Sequence, residues 1–140
     1  MEKQGEGTLQ VNEELRIAEE MQHVLRADYE YREGKFYFGK IKKLEVFLGS
    51  SRFVFKLDVE ISFEHLQQDG SAINKAALYL LPEEVLAFAE ALRKFPMPVP
   101  VAFRQRLCLN PNIVELSIES LEPPVVFAQR LSAALIAIES

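Results

Sequence analysis

The segment 52–63, RFVFKLDVEISF, carries an apolar side chain at every odd position, and four of the five positions between them are polar. Successive side chains of a β-strand point to opposite faces of the sheet. The segment is therefore predicted to be a strand with one apolar and one polar face. We expect the stripe from Phe53 to Phe63 to be core, covered by the chain's own helices.

The preceding segment, 35–48, is predicted to be the partner of this strand in a hairpin. Pairing Leu48 with Phe53 across the loop GSSR keeps apolar residues on one face and sets Glu45 opposite Lys56. Unlike charges directly opposite one another stabilise a strand pair, and like charges destabilise it. This register is therefore the one that the sequence favours.

The strand 35–48 has one irregularity in its pattern. Lys40 and Lys42 share a parity with Phe36 and Phe38, and so interrupt the apolar face. Glycine inside a strand often marks a bulge. A bulge near Gly39 is predicted to turn the lysines away.

A second hairpin is predicted around the turn NPN. Pairing Leu109 with Val114 sets Arg104 opposite Glu119, again an unlike pair. Prolines on the strand before the turn remove ladder donors, so this strand should lie at a sheet edge.

The remaining elements complete an α+β domain. The sequence predicts a disordered lead-in over residues 1–10, one domain over 11–140, and a short hairpin around Glu33-Gly34. Helical spacing and proline positions predict helices over 13–27, from Pro82 to 94, and from Pro123-Pro124 onward. We expect a bent antiparallel sheet of about five to six strands with three helices, in the order α-β-β-β-α-β-β-α.

Composition narrows the class of protein. The net charge of −5 argues against a dedicated nucleic-acid binder, because phosphate contacts demand a basic surface. A single cysteine, Cys108, excludes an internal disulfide and suits the cytoplasm. The polar N-terminus has no secretory core, and no apolar run approaches the ~20 residues of a membrane helix.

Signatures of catalysis are weak. Cys108 has no sequence context that ties it to His23 or His65, and two histidines with one cysteine match no metal-ligand spacing. The scattered glycines form neither a dinucleotide-binding nor a P-loop pattern. The sequence thus indicates a protein that is not an enzyme and needs no cofactor or metal.

One stretch combines basic and aromatic residues as sheet-based binders of single-stranded nucleic acid do. It covers residues 29–56. The candidate contacts are Tyr29, Tyr31, Lys35, Tyr37, Lys40, Lys42 and Lys43. Nucleic-acid binding through this patch is the alternative hypothesis, and the continuation of its rings into an aliphatic stripe favours a core instead.

The C-terminal helix is apolar nearly all round, which is typical of a helix that is deeply buried or shared with a partner. Four of its apolar residues lie outside the stripe that is predicted to face the core. They are Val126, Ala133, Ile136 and Ala137, which we take as candidate partner contacts. The order of elements also resembles that of small acidic dimeric secretion chaperones, a likeness that transfers no residues. The leading hypothesis is a non-enzymatic protein-binding module, adaptor-like or chaperone-like and homodimeric. A sheet domain that encloses a small ligand stays open as a third possibility.

Overall fold

The computed structural model describes the backbone of residues 2–96, 101–108 and 112–139, and side chains from residue 13 onward. Three helices and six strands alternate as α-β-β-β-β-α-β-β-α, so the predicted α+β class is confirmed. The elements are α1 (Glu2–Leu25), β1 (Tyr29–Arg32), β2 (Lys35–Leu48), β3 (Ser51–Glu64), β4 (Ala72–Leu80), α2 (Val85–Lys94), β5 (Ala102–Cys108), β6 (Ile113–Glu122) and α3 (Pro124–Ala137).

The strands form a single antiparallel sheet in the order β1-β2-β3-β4-β6-β5. Buried side chains alternate along β4 and β6, so the core lies on one face, here called the inner face. The helices pack on this inner face, and α3 contacts both α1 and α2 and the central strands β4 and β6. The opposite, outer face carries no helix among the described elements.

The core joins all three helices to the sheet. It contains Met21 and Leu25 of α1, and Phe88 and Leu92 of α2. Phe127 and Leu131 of α3, together with Phe36, Phe38, Ile61, Phe63, Leu78, Leu80, Leu116 and Ile118 of the sheet, complete it. Phe36 and Phe63 lie opposite each other on β2 and β3, with stacked rings 5.0 Å apart. Burying each such ring contributes about 1.5–3 kcal/mol.

A polar network is buried within this core. The Arg130 guanidinium, fully buried, donates hydrogen bonds to both carboxylate oxygens of Glu122 and to the Leu92 carbonyl at 2.8 Å. Ser120 Oγ also donates to Glu122. Since Leu92 lies in the last turn of α2 and Glu122 is the last residue of β6, the one arginine ties α3 to both.

The helices α2 and α3 begin as the sequence predicts. Pro82 opens a 3-10 turn, Pro82–Glu84, that leads into α2, and Pro124 is the first residue of α3. The Leu81 amide donates to Glu84 Oε1 at 2.9 Å, which satisfies one of the free donors of a helix start. Both features follow from local sequence alone.

The N-terminal helix is longer than the sequence indicates. α1 begins at Glu2, so it includes the segment for which a disordered lead-in was predicted, and Asn12 lies within it. The helix ends at Leu25, where Arg26 takes a positive φ of 55°. It therefore ends two residues before the predicted end at residue 27.

The predicted register of the first hairpin is wrong by two residues. Leu48 pairs with Ser51, and Val46 with Phe53, across a two-residue turn, Gly49-Ser50. A shift of two leaves every side chain on its predicted face, so the apolar pattern could not detect it. Lys43 consequently lies opposite Lys56.

The predicted bulge near Gly39 is also wrong. The pairing of β2 with β3 continues without interruption from Phe36 to Leu48. Lys40 and Lys42 remain on the inner face, and Lys42 is accommodated there by an ion pair with Glu84.

The second hairpin shows the same kind of shift. Arg104 lies opposite Ser117 rather than Glu119, and Glu119 pairs with Ala102. Leu109, used to set the predicted register, lies outside the described residues. The strand β5 is at the edge of the sheet, as the prolines that precede it in the sequence predict.

Candidate interaction surface on the β2–β3 arm

The hairpin of β2 and β3 extends beyond the rest of the sheet. β1 pairs with β2 only up to Phe38, and β4 pairs with β3 only from Glu60 onward. Residues 39–59 thus form a two-stranded ribbon, here called the arm, whose two outer edges have no strand partner among the described residues. Unpaired backbone donors and acceptors on such edges are a template for pairing with another chain.

Large apolar side chains of the arm are exposed on both of its faces. On the outer face Ile41 is 64% exposed, Phe47 66% and Val54 49%. On the inner face Leu48 is 55% exposed and Phe53 45%. Large exposed apolar side chains concentrated on one hairpin make the arm a candidate interaction surface.

The exposure of Phe53 corrects the prediction that the whole stripe to Phe63 is core. Val59, Ile61 and Phe63 are buried, but Phe55 and Leu57 are only half-buried. The helices end before the arm does. The apolar face therefore changes from core to surface along a single strand.

The base of the arm is held against the body by polar and apolar contacts. Lys42 Nζ lies 3.1 and 3.3 Å from the two carboxylate oxygens of Glu84, and both side chains are largely buried. Leu44, next on the same face, is fully buried. A cleft of about 520 Å³ separates the arm from the end of α3; Lys40, Leu81, Leu135 and Ile138 are among its lining residues.

The arm is basic in an acidic protein. It carries five basic residues and two acidic ones, whereas the whole chain has a net charge of −5. Arg52 forms an exposed ion pair with Glu45, and the hydrogen bond that Arg52 Nε donates to this carboxylate, together with the negative charge of Glu45, raises the pKa of the guanidinium. Lys43 and Lys56 face each other on the outer face, where like charges oppose the pairing.

The structure divides the candidate nucleic-acid patch between the two faces. Tyr29 and Tyr31 lie opposite Phe38 and Phe36, with ring contacts of 4.8–6.3 Å, and so share the inner face with Lys40 and Lys42. Lys35, Tyr37 and Lys43 lie on the outer face. Lys35 pairs with Glu64, and Arg32 stacks on the Tyr37 ring at 4.6 Å. The seven residues do not form one continuous platform.

The four candidate partner contacts on α3 differ in their exposure to solvent. Ile136 is 62% exposed and Ala137 is exposed next to it, whereas Val126 and Ala133 are half-buried. The largest exposed apolar side chain of this set is therefore a single isoleucine near the helix end. The arm has five large exposed apolar side chains.

The outer face of the sheet holds a shallow groove of about 360 Å³. Small side chains of Ser62, Ala77, Ala102 and Ser117 line it, with Tyr37, Lys75, Arg104, Glu60 and Glu119 around them. Both acidic and basic side chains therefore surround this groove.

Groups suited to chemistry lie apart on separate elements. Cys108 is a half-buried free thiol on β5, His23 is exposed on α1, and His65 pairs with Glu64 at 3.6 Å beyond β3. Within the described part of the chain, no group of three or more His, Cys, Asp or Glu residues could hold a metal ion.

Comparison with known proteins adds no relative. No protein-family model matches the chain, and neither a curated protein nor a solved structure is detectably similar to it. None of the helices in the described ranges has the length and apolar character needed to cross a bilayer. The sequence pointed to the lysines of the arm as a candidate nucleic-acid surface but not to its exposed apolar side chains, although a strand pair of 14 residues on each side, longer than its neighbours, was an available signal.

Proposed function

We propose that this protein is a non-enzymatic protein-binding module that self-associates and uses the β2–β3 arm as its binding surface. The observation that supports it is the exposure of five large apolar side chains, three on the outer face and two on the inner face of a ribbon with two free edges. Aromatic and aliphatic anchors surrounded by polar residues are typical of protein interfaces. A reducing cytoplasm is the compartment we propose, in keeping with the free thiol of Cys108.

A photo-crosslinking amino acid at position 47 tests this proposal in living cells. Phe47 is 66% exposed on the arm, and Leu86 on α2 is 72% exposed, which makes position 86 a matched control outside the arm. Protein adducts, either to a second copy or to another protein, are expected at position 47 and not at 86. Equal adduct yields at the two positions would contradict the proposal.

Binding of single-stranded nucleic acid is the second candidate, and the observation in its favour is the positive charge of the arm. Fluorescence anisotropy with labelled oligonucleotides at low salt tests it, because phosphate contacts are strongest there. Replacing both Lys40 and Lys43 by Glu should abolish binding if the patch is used. Binding that survives this change, or no binding by the unmodified protein, excludes this candidate.

A further inference from the structure

The free edge of β2 suits one partner in particular, a second copy of the same edge. Antiparallel pairing of two β2 strands about a two-fold axis at Leu44 places Ile41 of each copy opposite Phe47 of the other. Both side chains lie on the outer face and are about two-thirds exposed. Two large apolar pairs would thus be covered at once, each adding to the stability of the sheet.

The charges agree with the same register. Pairing about Leu44 sets Lys43 of each copy opposite Glu45 of the other, which gives two unlike pairs beside the axis. An axis one residue earlier would oppose two copies of Lys43, and an axis one residue later would oppose two copies of Glu45. Among these three alignments, only the one that pairs the apolar residues also avoids a like-charge pair on the axis.

We propose that two copies associate by antiparallel pairing of their β2 edges about Leu44, which joins the two arms into a four-stranded ribbon. This inference rests on the proposed function and specifies its self-association. The pairing supplies main-chain hydrogen bonds to the free edge and covers Ile41 and Phe47. The exposed residues on the inner face, Leu48 and Phe53, stay available to a further protein.

A charge reversal tests the register with a built-in control. Lys43 and Lys56 lie directly opposite each other within the arm, so Lys43→Glu and Lys56→Glu relieve the same internal repulsion and change the net charge equally. Only Lys43→Glu places an acid opposite Glu45 of the other copy. Analytical ultracentrifugation should show a dimer that Lys43→Glu weakens about tenfold or more, and Lys56→Glu much less.

The double variant Lys43→Glu/Glu45→Lys should restore the dimer, because it exchanges the charges and regenerates both unlike pairs. Equal effects of Lys43→Glu and Lys56→Glu, or a double variant as weak as the single one, would overturn the proposed register.

Disulfide trapping provides an independent readout. In a Cys108→Ser background, an Ile41→Cys variant mixed with a Phe47→Cys variant should form a disulfide-linked dimer under mild oxidation, because cross-strand neighbours lie within bonding distance. Lys43→Cys mixed with Phe47→Cys is the control, offset by two residues, and should form much less. Equal yields from the two mixtures would overturn the register.

Failure of this inference is distinguishable from failure of the proposed function. A chain that dimerises through another surface, for example one sensitive to Ile136→Ser, would refute the β2 pairing and leave a protein-binding module in place. Crosslinks from position 47 to other proteins, with none to a second copy, would also refute the β2 pairing and leave a protein-binding module in place. A monomer at about 100 µM without protein adducts at position 47 would refute both.

Discussion

Arg130 and Glu122 form a two-point ion pair inside the protein, with Nε and Nη2 each 3.1 Å from a carboxylate oxygen. Both side chains are almost completely inaccessible to water. Such a pair adds little stability compared with apolar residues at the same positions. The loss of one partner, however, leaves a buried charge uncompensated.

Arg130→Ala is therefore expected to lower the free energy of unfolding by about 3–5 kcal/mol, measured by urea denaturation. Glu122→Gln should act in the same direction. The control is Arg106→Ala, whose ion pair with Glu115 is exposed and should contribute less than about 1 kcal/mol. A cost below 1 kcal/mol for Arg130→Ala would show that the buried pair does not hold α3.

The contact between the arm and the body gives a second prediction. Glu84 accepts hydrogen bonds from the Leu81 amide and from Lys42, so Glu84→Ala removes both, whereas Lys42→Ala removes only the ion pair. We expect Glu84→Ala to cost about 2 kcal/mol and Lys42→Ala about 1 kcal/mol in thermal or chemical unfolding. Lys35→Ala, which breaks the more exposed pair with Glu64, is the control and should cost less than either. A larger loss of stability for Lys42→Ala than for Glu84→Ala would contradict the capping role of Glu84.

The change from core to surface along β3 gives a third prediction. Phe63→Ala opens a cavity beneath the helices and should cost about 3–5 kcal/mol of unfolding free energy. Phe53→Ala, ten residues earlier with the same parity, should change it by less than about 1 kcal/mol. Similar costs at both positions would mean that the end of the arm is covered within the monomer.

The stability of the protein is expected to depend on pH through Glu14 of α1. Burial raises the pKa of this carboxyl above its ordinary value of 4.5. The folded state therefore favours the protonated form, and ionisation lowers the stability as the pH rises through the folded pKa. Glu14→Gln should stabilise the protein at pH 7, and the gain should vanish below pH 4.5. Glu19→Gln, exposed on the same helix, is the control for loss of one acidic charge. Denaturation curves across this range measure both variants, and a gain independent of pH would rule out the explanation.

The fold class was predictable because its signals are local. Alternation in 52–63, the prolines that open α2 and α3, and the turn residues each act within a few positions. Strand register was not predictable from the same signals, since a shift of two residues keeps every side chain on its face. Both hairpins were therefore predicted with the right faces and the wrong partners.

The arm and the buried ion pair depend on contacts distant in sequence. Phe53 is exposed because neither the helices nor β4, which stops pairing with β3 after Ala77, extend along the arm as far as this residue, and no local pattern in β3 reveals this. Arg130 did give a signal, as the only charged residue within the described α3, in a helix that follows Glu122 directly. Its partner could be identified only once β6 and α3 were placed side by side.

The separation between the end of the arm and the core has an evolutionary consequence. Substitutions at Phe47, Leu48 or Val54 alter a surface without loosening the packing beneath the helices. The surface of the arm can therefore diverge in sequence while the scaffold is retained.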